Sequence, residues 1–360
     1  MHILVAIDSL DFGGAERQVV LDANALVQLG HQVSVVYFRP GPLDQELDAS
    51  VAKYHIQSKT FAGRILTVSR LISRIKPDLI IAHMFRAEIV SAFSGLALRV
   101  PVIFNEHGLG LWKKIHHRLA FRFSSLFARE IWCASEACRV LRLEKDRLDS
   151  KKVRTVYNFF DLSGDTGSGE SLRTDILSSL GRSMDTPIIG FVGRFDAVKR
   201  LDLLVDAAHD DGLQDAVFVL VGDGDQRSEL EMAVNKSNLN NCFYFSGYVS
   251  KPRHYFNAFD VFVLPSRRES LSVALLEASS VSLPAVAFDV GGNAEIIENR
   301  VTGYVVADEE YIAFQKALAR LVQSRELRLE MGRAARKRVE DMFSEQRRMD
   351  EILSAAECYG

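Results

Sequence analysis

Residues 264–278 read LPSRRESLSVALLEA, and residues 288–295 read FDVGGNAE. The first stretch leaves the β-branched run Val261–Leu264, crosses a polar loop and enters a helix-periodic segment that Ser270 or Ser272 can cap. The second leaves another apolar run, Ala285–Phe288, and turns through Gly291 and Gly292 into a further helix. Strand, loop, helix, strand, glycine turn, helix is the order of a parallel sheet with crossover helices. Ligands of such sheets sit beyond the carboxyl ends of the strands, and Glu269 and the two glycines stand there.

Outward from this stretch the same rhythm continues. Upstream lie the apolar runs Pro187–Val192, Val217–Val221 and Phe243–Phe245, and downstream lies Tyr304–Val306. A separate series opens the chain: Ile3–Ile7, a helical segment at Glu16–Gln28, then Val33–Tyr37, Leu79–Ala82, Val102–Phe104, Ile131–Ala134 and Val153–Tyr157. Between the two series, Ser163–Met184 begins with a Gly/Ser/Asp-rich run that no strand can use. The expected organisation is therefore α/β, with two Rossmann-like doubly wound domains at 1–162 and 186–342 and a linker or excursion at 163–185.

A length of 360 residues suits two domains, and 48% hydrophobic with 25% charged residues describes an ordinary globular chain. Cys133, Cys138, Cys242 and Cys358 are too scattered for a disulfide framework, and Cys133 and Cys138 lack zinc-ribbon spacing. The opening MHILVAIDSLDFGG has no basic leader, and no apolar stretch approaches the roughly 18–20 residues that cross a bilayer. A cytoplasmic setting is expected. The net charge of −3 divides unevenly, with 22 basic against 16 acidic residues over 1–162 and 22 against 31 over 163–360. That is too mild for a protein that tracks nucleic-acid phosphates, so no nucleic-acid partner is expected; a basic first half suits an anionic lipid or a phosphorylated acceptor.

The remaining strand ends carry several candidate groups. In Asp8–Glu16, DSLDFGGAE, Gly13 and Gly14 precede a helix and let backbone N–H groups approach an anion. The spacing is not GxGxxG, and a tight turn without a ligand is an equal reading. In Gly190–Arg200, GFVGRFDAVKR, Arg194 and Lys199 stand five apart around a turn and suit a diphosphate, or a solvated loop. Asp223 and Asp225 form a DxD pair on a turn entering a helix, where metal binding is the minor reading. Glu269 and Glu277, separated by seven residues, suit vicinal hydroxyls of a sugar and a ribose. The Gly291–Gly292 turn adds N–H groups for phosphate oxygens.

In order and spacing these segments resemble the retaining GT-B glycosyltransferases of family 4, nearly end to end. The resemblance rests on GGAE at Gly13–Glu16, EHG at Glu106–Gly108, YNFFDL at Tyr157–Leu162 and VGR at Val192–Arg194 with Lys199. It continues through VGDG at Val221–Gly224, SGYV at Ser246–Val249, the Glu pair, and VGGNAE at Val290–Glu295. It implies two Rossmann-like domains facing a central cleft, with a C-terminal helix at about 343–360 crossing back to the first domain. It also implies a metal-independent, retaining hexosyltransferase that needs no cofactor. The donor is then a nucleotide-diphosphate sugar, a UDP-sugar in preference to GDP-mannose, and the acceptor a glycan or polyprenyl-diphosphate-linked saccharide of bacterial surface polysaccharide synthesis.

By the same resemblance, Arg194 and Lys199 grip the donor diphosphate and offset leaving-group charge, Glu277 binds the ribose, and Glu269 contacts the transferred sugar. His107 hydrogen-bonds the donor sugar or the transition state. Gly13 and Gly14 let the first domain close on the diphosphate, and Asn293 and Ala294 offer backbone N–H groups. His107, Glu269, Arg194 and Lys199 form the catalytic set. Two departures stand out: Arg200 occupies the place of a usual Gly and makes the phosphate site more basic, and Phe159–Phe160 replace a Gly-Val pair at the expected crossover.

One segment points to the acceptor side. Leu111–Glu130, LWKKIHHRLAFRFSSLFARE, mixes Lys113, Lys114, Arg118, Arg122 and Arg129 with Trp112, Leu119, Phe121, Phe123 and Phe127. A basic aromatic helix of this kind reads as a peripheral anchor to an anionic membrane, or as a helix burying its aromatic face on its own sheet. Two functional rivals share the fold. A sugar-nucleotide epimerase would release a free sugar, and a non-catalytic scaffold would be expected to lose charge at Arg194, Lys199 or Glu269.

Overall fold

The computed structural model describes residues 1–11, 13–160, 169–249 and 252–359. Contacts divide the chain into two units, Met1–Asp161 with Phe343–Gly360, and Leu162–Met342.

The first unit runs β1 (His2–Ser9), α1 (Gly14–Gln28), β2 (Gln32–Arg39), β3 (Ala52–His55), α2 (Phe61–Ile75), β4 (Leu79–His83), α3 (Phe85–Leu98), β5 (Val102–Glu106), α4 (Ile115–Ser125), β6 (Glu130–Cys133), α5 (Glu136–Glu144) and β7 (Val153–Thr155). Its parallel sheet has the order β3-β2-β1-β4-β5-β6-β7. Both faces are covered, as a parallel sheet requires. Ile3, Val5 and Ile7 enter one core with Val19, Val20, Ala23 and Leu26 of α1, while Leu4 and Ala6 enter the other with Val68, Leu71 and Ile72 of α2. The period of two along β1 thus supplies both layers.

The second unit runs α6 (Glu170–Ser179), β8 (Ile188–Val192), α7 (Asp202–Ala207), β9 (Val217–Val221), α8 (Arg227–Lys236), β10 (Phe243–Gly247), α9 (Arg253–Phe256), β11 (Val261–Leu264), α10 (Val273–Ser280), β12 (Ala285–Phe288), α11 (Asn293–Ile296), β13 (Gly303–Val306), α12 (Tyr311–Gln323) and α13 (Arg325–Met342). Its parallel sheet is ordered β10-β9-β8-β11-β12-β13. Its largest fully buried side chains are phenylalanines, with Phe288 stacked on Phe314 at 4.5 Å.

The chain then returns as α14 (Glu345–Tyr359), which packs within the first unit. Met349, Ile352 and Ala356 join the α1 core. A buried ion pair fixes the register: Arg348 Nη2 lies 2.7 Å from Asp22 Oδ2, each side chain 1% exposed, with the guanidinium over the Trp132 ring. Removing one partner of such a pair costs about 3–5 kcal/mol.

Three features add to the sequence-based expectations. The expected linker 163–185 begins outside the described residues, but its later part folds as α6, burying Ile176 and Leu177. Arg173 on that helix donates to Asp260 at 2.7 Å and to Thr186 O at 2.7 Å, so this stretch belongs to the second unit's structure. The Phe159–Phe160 pair is buried in the first unit, where Phe160 N–H donates to Phe343 O. The edge strand β3, AKYH, had no apolar run to announce it.

Candidate functional site

In the second unit the strand order reverses between β8 and β11, which makes the loops after those strands neighbours. Arg267 N–H donates to Val198 O at 2.8 Å and ties one loop to the other. The result is a close ion pair, Lys199 Nζ to Glu269 Oε1 at 2.6 Å, with side chains 21% and 12% exposed. Arg194, on the same loop as Lys199, is 80% exposed in its side chain and donates through Nε to Asp196 at 3.1 Å. Arg267 and Arg268 are exposed beside them on the adjacent loop.

The turn after β12 is sewn to the same place. Gly291 adopts φ 58°, and a Cβ there would lie 1.7 Å from Glu269 O, so only glycine fits. Gly292 N–H donates to Ser270 O at 2.7 Å. Ser272, rather than Ser270, caps α10, accepting from Leu275 N–H, and this helix carries Glu277 half-buried in its second turn. Ser266 Oγ, Ser270 Oγ and Asn293 Oδ1 are buried without a partner among the described residues. Buried polar atoms of this kind gathered at one edge mark a place built for polar contacts from outside the chain.

Several expectations for this unit need correction. Asn293 N–H, expected to serve a ligand, donates to Val290 O at 3.3 Å, and its amide donates to Phe288 O at 3.0 Å. Ala294 is exposed on the same turn. Arg200 does not enrich the phosphate site. Its side chain is buried, donating to Pro265 O at 2.9 Å, Ser266 O at 3.1 Å and Asp308 at 2.7 Å, and it lies over the Phe288 ring. Its φ of 50° is left-handed, which explains why glycine suits that position. Asp223, by contrast, keeps the turn role favoured from the sequence, accepting from Gly224 N–H at 2.8 Å and from Arg227 at 2.9 Å.

In the first unit the order reverses between β1 and β4. Gly13 caps α1 in extended backbone with Gly14 next to it, both exposed, and Glu16 folds back to accept from Ser9 Oγ at 3.1 Å. Asp8, ending the apolar part of β1, accepts from Ala87 N–H at 2.8 Å and so satisfies a first-turn donor of α3. Beside it stands a histidine pair. His83 closes β4 and is in register with Asn105 of β5, which places it beside His107 two residues on. His83 Nδ1 and His107 Nε2 are 2.7 Å apart, with rings stacked at 5.0 Å and 14°. Asn105 Nδ2 reaches both nitrogens, at 3.2 and 3.1 Å, and Asn158 Nδ2 reaches His107 Nδ1 at 3.1 Å. Both ring nitrogens of His107 are therefore engaged by the protein.

Burial, and then the positive charge of Arg348, lowers the His107 pKa to about 3. Burial also drives that of His83 well below the usual histidine range. Both rings are neutral near pH 7. His83, Asn105 and Asn158 were not singled out in the sequence, although each is a polar residue that ends or directly follows an apolar run, LIIA, VIF and VRTVY.

The basic aromatic segment divides between the two readings. Lys113 is buried, 2.8 Å from Glu106 and 3.7 Å from the Phe121 ring centroid, and Arg118 lies 2.5 Å from Asp146. These two cations hold the fold together and are not surface charges. Phe121 is fully buried. Ile115, Leu119, Phe123 and Leu126 are instead 78, 62, 56 and 64% exposed, as is Trp112 at 59%, and Lys114, Arg122 and Arg129 are exposed among them. No helix among the described residues is long and apolar enough to cross a membrane.

Comparison with known proteins agrees with this geometry. Residues 12–163 match the model of Glycosyltransferase Family 4, and residues 173–338 match that of Glycosyl transferases group 1. The chain is 23% identical to the UDP-Gal:alpha-D-GlcNAc-diphosphoundecaprenol alpha-1,3-galactosyltransferase of Escherichia coli, over 94% of this chain and 92% of the relative. It is 25% identical to an alpha-1,4-N-acetyl-D-galactosaminyltransferase of Campylobacter jejuni that acts on an undecaprenol-diphosphate glycan, over 95% and 94% of the two chains. Among solved structures, Anabaena HepE in complex with UDP superposes with a TM-score of 0.86 at 19% identity, covering 99% of this chain and 100% of that one.

Proposed function

The chain belongs to glycosyltransferase family 4 and has the GT-B fold, and from that premise we propose that it moves a hexose from a UDP-sugar to a lipid-linked diphosphate saccharide in bacterial polysaccharide synthesis. In this reading the transfer retains anomeric configuration and uses no metal. The observation that carries it is the Lys199–Glu269 pair at the strand-order reversal of the second sheet, with Arg194 exposed beside it. A diphosphate needs convergent cations and a sugar needs a carboxylate for its hydroxyls, and here one contact of 2.6 Å holds both.

The chemistry asked of these residues is electrostatic. Lys199 and Arg194 stabilise the charge that accumulates on the departing diphosphate, a task otherwise given to a metal. Once Lys199 turns to phosphate, Glu269 is released to accept hydrogen bonds from the sugar. Glu277, one helix further, binds the ribose. His107 meets the donor sugar as a neutral ring whose Nδ1 exchanges the Asn158 amide for a sugar hydroxyl, and a neutral ring does not oppose the positive charge of an oxocarbenium-like transition state. The lipid-linked acceptor is supported by the named activities of the Escherichia coli and Campylobacter relatives, and the UDP-sugar by that of the Escherichia coli relative.

A cytoplasmic, membrane-surface location accompanies this reading. It is favoured by the exposed ridge Ile115, Leu119, Phe123 and Leu126 with Lys114 and Arg122 along it.

The test is a thermal-shift panel of UDP, GDP and their sugars with and without EDTA, followed by transfer to a synthetic GlcNAc-diphosphate-lipid and product analysis by mass and anomeric NMR. Stabilisation by UDP-sugars that survives EDTA, with a lengthened glycan of the donor's configuration, is expected; a ligand at 100 times its dissociation constant adds about 2.7 kcal/mol. A GDP-only shift overturns the donor assignment. A free altered sugar made without acceptor identifies an epimerase instead.

A further inference from the structure

We propose that His83 is a positioning residue for His107: through the contact between its Nδ1 and His107 Nε2 it shares a single proton with that ring and fixes its tautomer and orientation. The proposal rests on the reading of His107 as the group of the first unit that meets the donor sugar.

The topology makes the contact unavoidable. His83 is the last residue of β4, paired in register with Ile7 on one side and Asn105 on the other. It is fully buried, so its ring has no solvent to answer to. At 2.7 Å between two neutral rings, one nitrogen must donate and the other accept. The neighbours decide which. Asn158 Nδ2, 3.1 Å from His107 Nδ1, favours the ring proton on Nε2, Asn105 Nδ2, 3.1 Å from Nε2, favours it on Nδ1, and the shorter contact to His83 Nδ1 decides for Nε2. His107 Nε2–H then donates to His83 Nδ1, which also receives Asn105 Nδ2 at 3.2 Å. The proton of His83 is left on Nε2, a buried atom with no partner among the described residues.

That last point argues for a role. An orphaned buried N–H costs about 1–3 kcal/mol, and a phenylalanine or leucine would fill the same space without it. What the imidazole adds, and an apolar side chain does not, is an acceptor for His107 Nε2–H. The surroundings also favour neutrality. Asn158 aims an amide donor at His107 Nδ1 and Asn105 aims one at His83 Nδ1, which suits lone pairs and not an imidazolium, and Arg348 adds positive charge nearby. A neutral, fixed ring is what a site that stabilises a cationic sugar requires, since a second cation there would raise the barrier.

The experiment uses the full chain with 15N-labelled histidine. Two-bond proton–nitrogen spectra at pH 7 report which nitrogen of His107 carries the proton, in the native protein and in His83→Phe and His83→Asn. The native chain is expected to show His107 as a single Nε2–H tautomer, His83→Phe to show a mixture or the other tautomer, and His83→Asn, whose amide oxygen can take the place of Nδ1, to restore the native pattern. In the transfer assay with the UDP-sugar that the thermal-shift panel selects, His83→Phe should lower kcat by about tenfold or more with the donor KM within about twofold, and His83→Asn should recover much of the loss. An unchanged tautomer in a folded His83→Phe overturns the proposal, as does a loss confined to KM. If the native chain transfers no sugar, the function assigned to His107 fails, while the spectra still decide whether His83 positions it.

Discussion

Lys199 Nζ donates to Glu269 Oε1 at 2.6 Å, so the cation assigned to phosphate and the carboxylate assigned to sugar hold each other. A diphosphate therefore competes with Glu269 for Lys199. Glu269→Gln should raise the affinity for UDP alone by about three- to tenfold, because the ammonium no longer has to leave a carboxylate. The same change should lower the rate of sugar transfer, since the sugar loses its acceptor. Lys199→Met should do the reverse to UDP, weakening it by about 100-fold, because it deletes a cation and leaves Glu269 unneutralised beside the phosphates. Calorimetric titration of UDP into both variants checks the pair; equal losses in both would mean that Glu269 assists nucleotide binding directly.

Arg200 offers a prediction about stability and not about binding. Its left-handed backbone costs about 1–2 kcal/mol, which glycine relieves, but its guanidinium satisfies Pro265 O, Ser266 O and Asp308. Arg200→Leu keeps the strain and loses the bonds, whereas Arg200→Gly loses the bonds alone. Urea unfolding should rank the native chain first, Arg200→Gly about 1–3 kcal/mol lower, and Arg200→Leu lower still. A glycine variant more stable than the native chain would show that the buried guanidinium contributes nothing.

These two residues also show what the sequence could convey. Apolar runs and glycine turns announced the described strands of both sheets except the half-exposed edge strand β3, because parallel strands buried on two faces must be continuously apolar. Lys199 and Glu269 were legible as loop residues at strand ends. Their pairing was not, since it depends on β8 and β11 being neighbours, and strand order leaves no local mark. Arg200 was misjudged because a charge beside a charge reads as surface until its partners, 65 to 108 residues away, are known. His83 escaped notice for the same reason: an isolated histidine at a strand end gains meaning only from the register that sets it against Asn105.

The histidine pair gives stability a pH dependence of known sign. Its folded pKa values are depressed, that of His107 to about 3, so the unfolded chain binds more protons below the usual histidine value of about 6.5. The contribution is fully present above that pH and is lost as pH falls toward 3. For each such ring the loss is about 1.4 kcal/mol per pH unit. His83→Asn removes one titrating ring whose folded pKa is lowered, so the stability advantage of the native chain should be largest near pH 7 and shrink as pH falls below about 6, at no more than about that slope. Urea midpoints at several pH values measure it. An advantage that stays constant would mean that His83 is protonated in the folded protein.

The segment around α4 divides its cations between two jobs, and mutations should separate them. Lys113 is buried against Glu106 and the Phe121 ring, so Lys113→Met should destabilise the fold by about 3–5 kcal/mol without a specific effect on lipid. Lys114 and Arg122 are exposed beside Ile115, Leu119 and Phe123. Each basic residue near an anionic leaflet contributes about 1 kcal/mol, so Lys114→Glu with Arg122→Glu should weaken sedimentation with phosphatidylglycerol vesicles by about 30-fold or more at low salt, leaving the thermal midpoint unchanged. Leu119→Ser with Ile115→Ser should instead remove the part of binding that survives 0.5 M salt, because apolar insertion is not screened. Vesicle binding that is indifferent to both double variants would sink the membrane reading of this ridge and leave it as an exposed face with some other occupant.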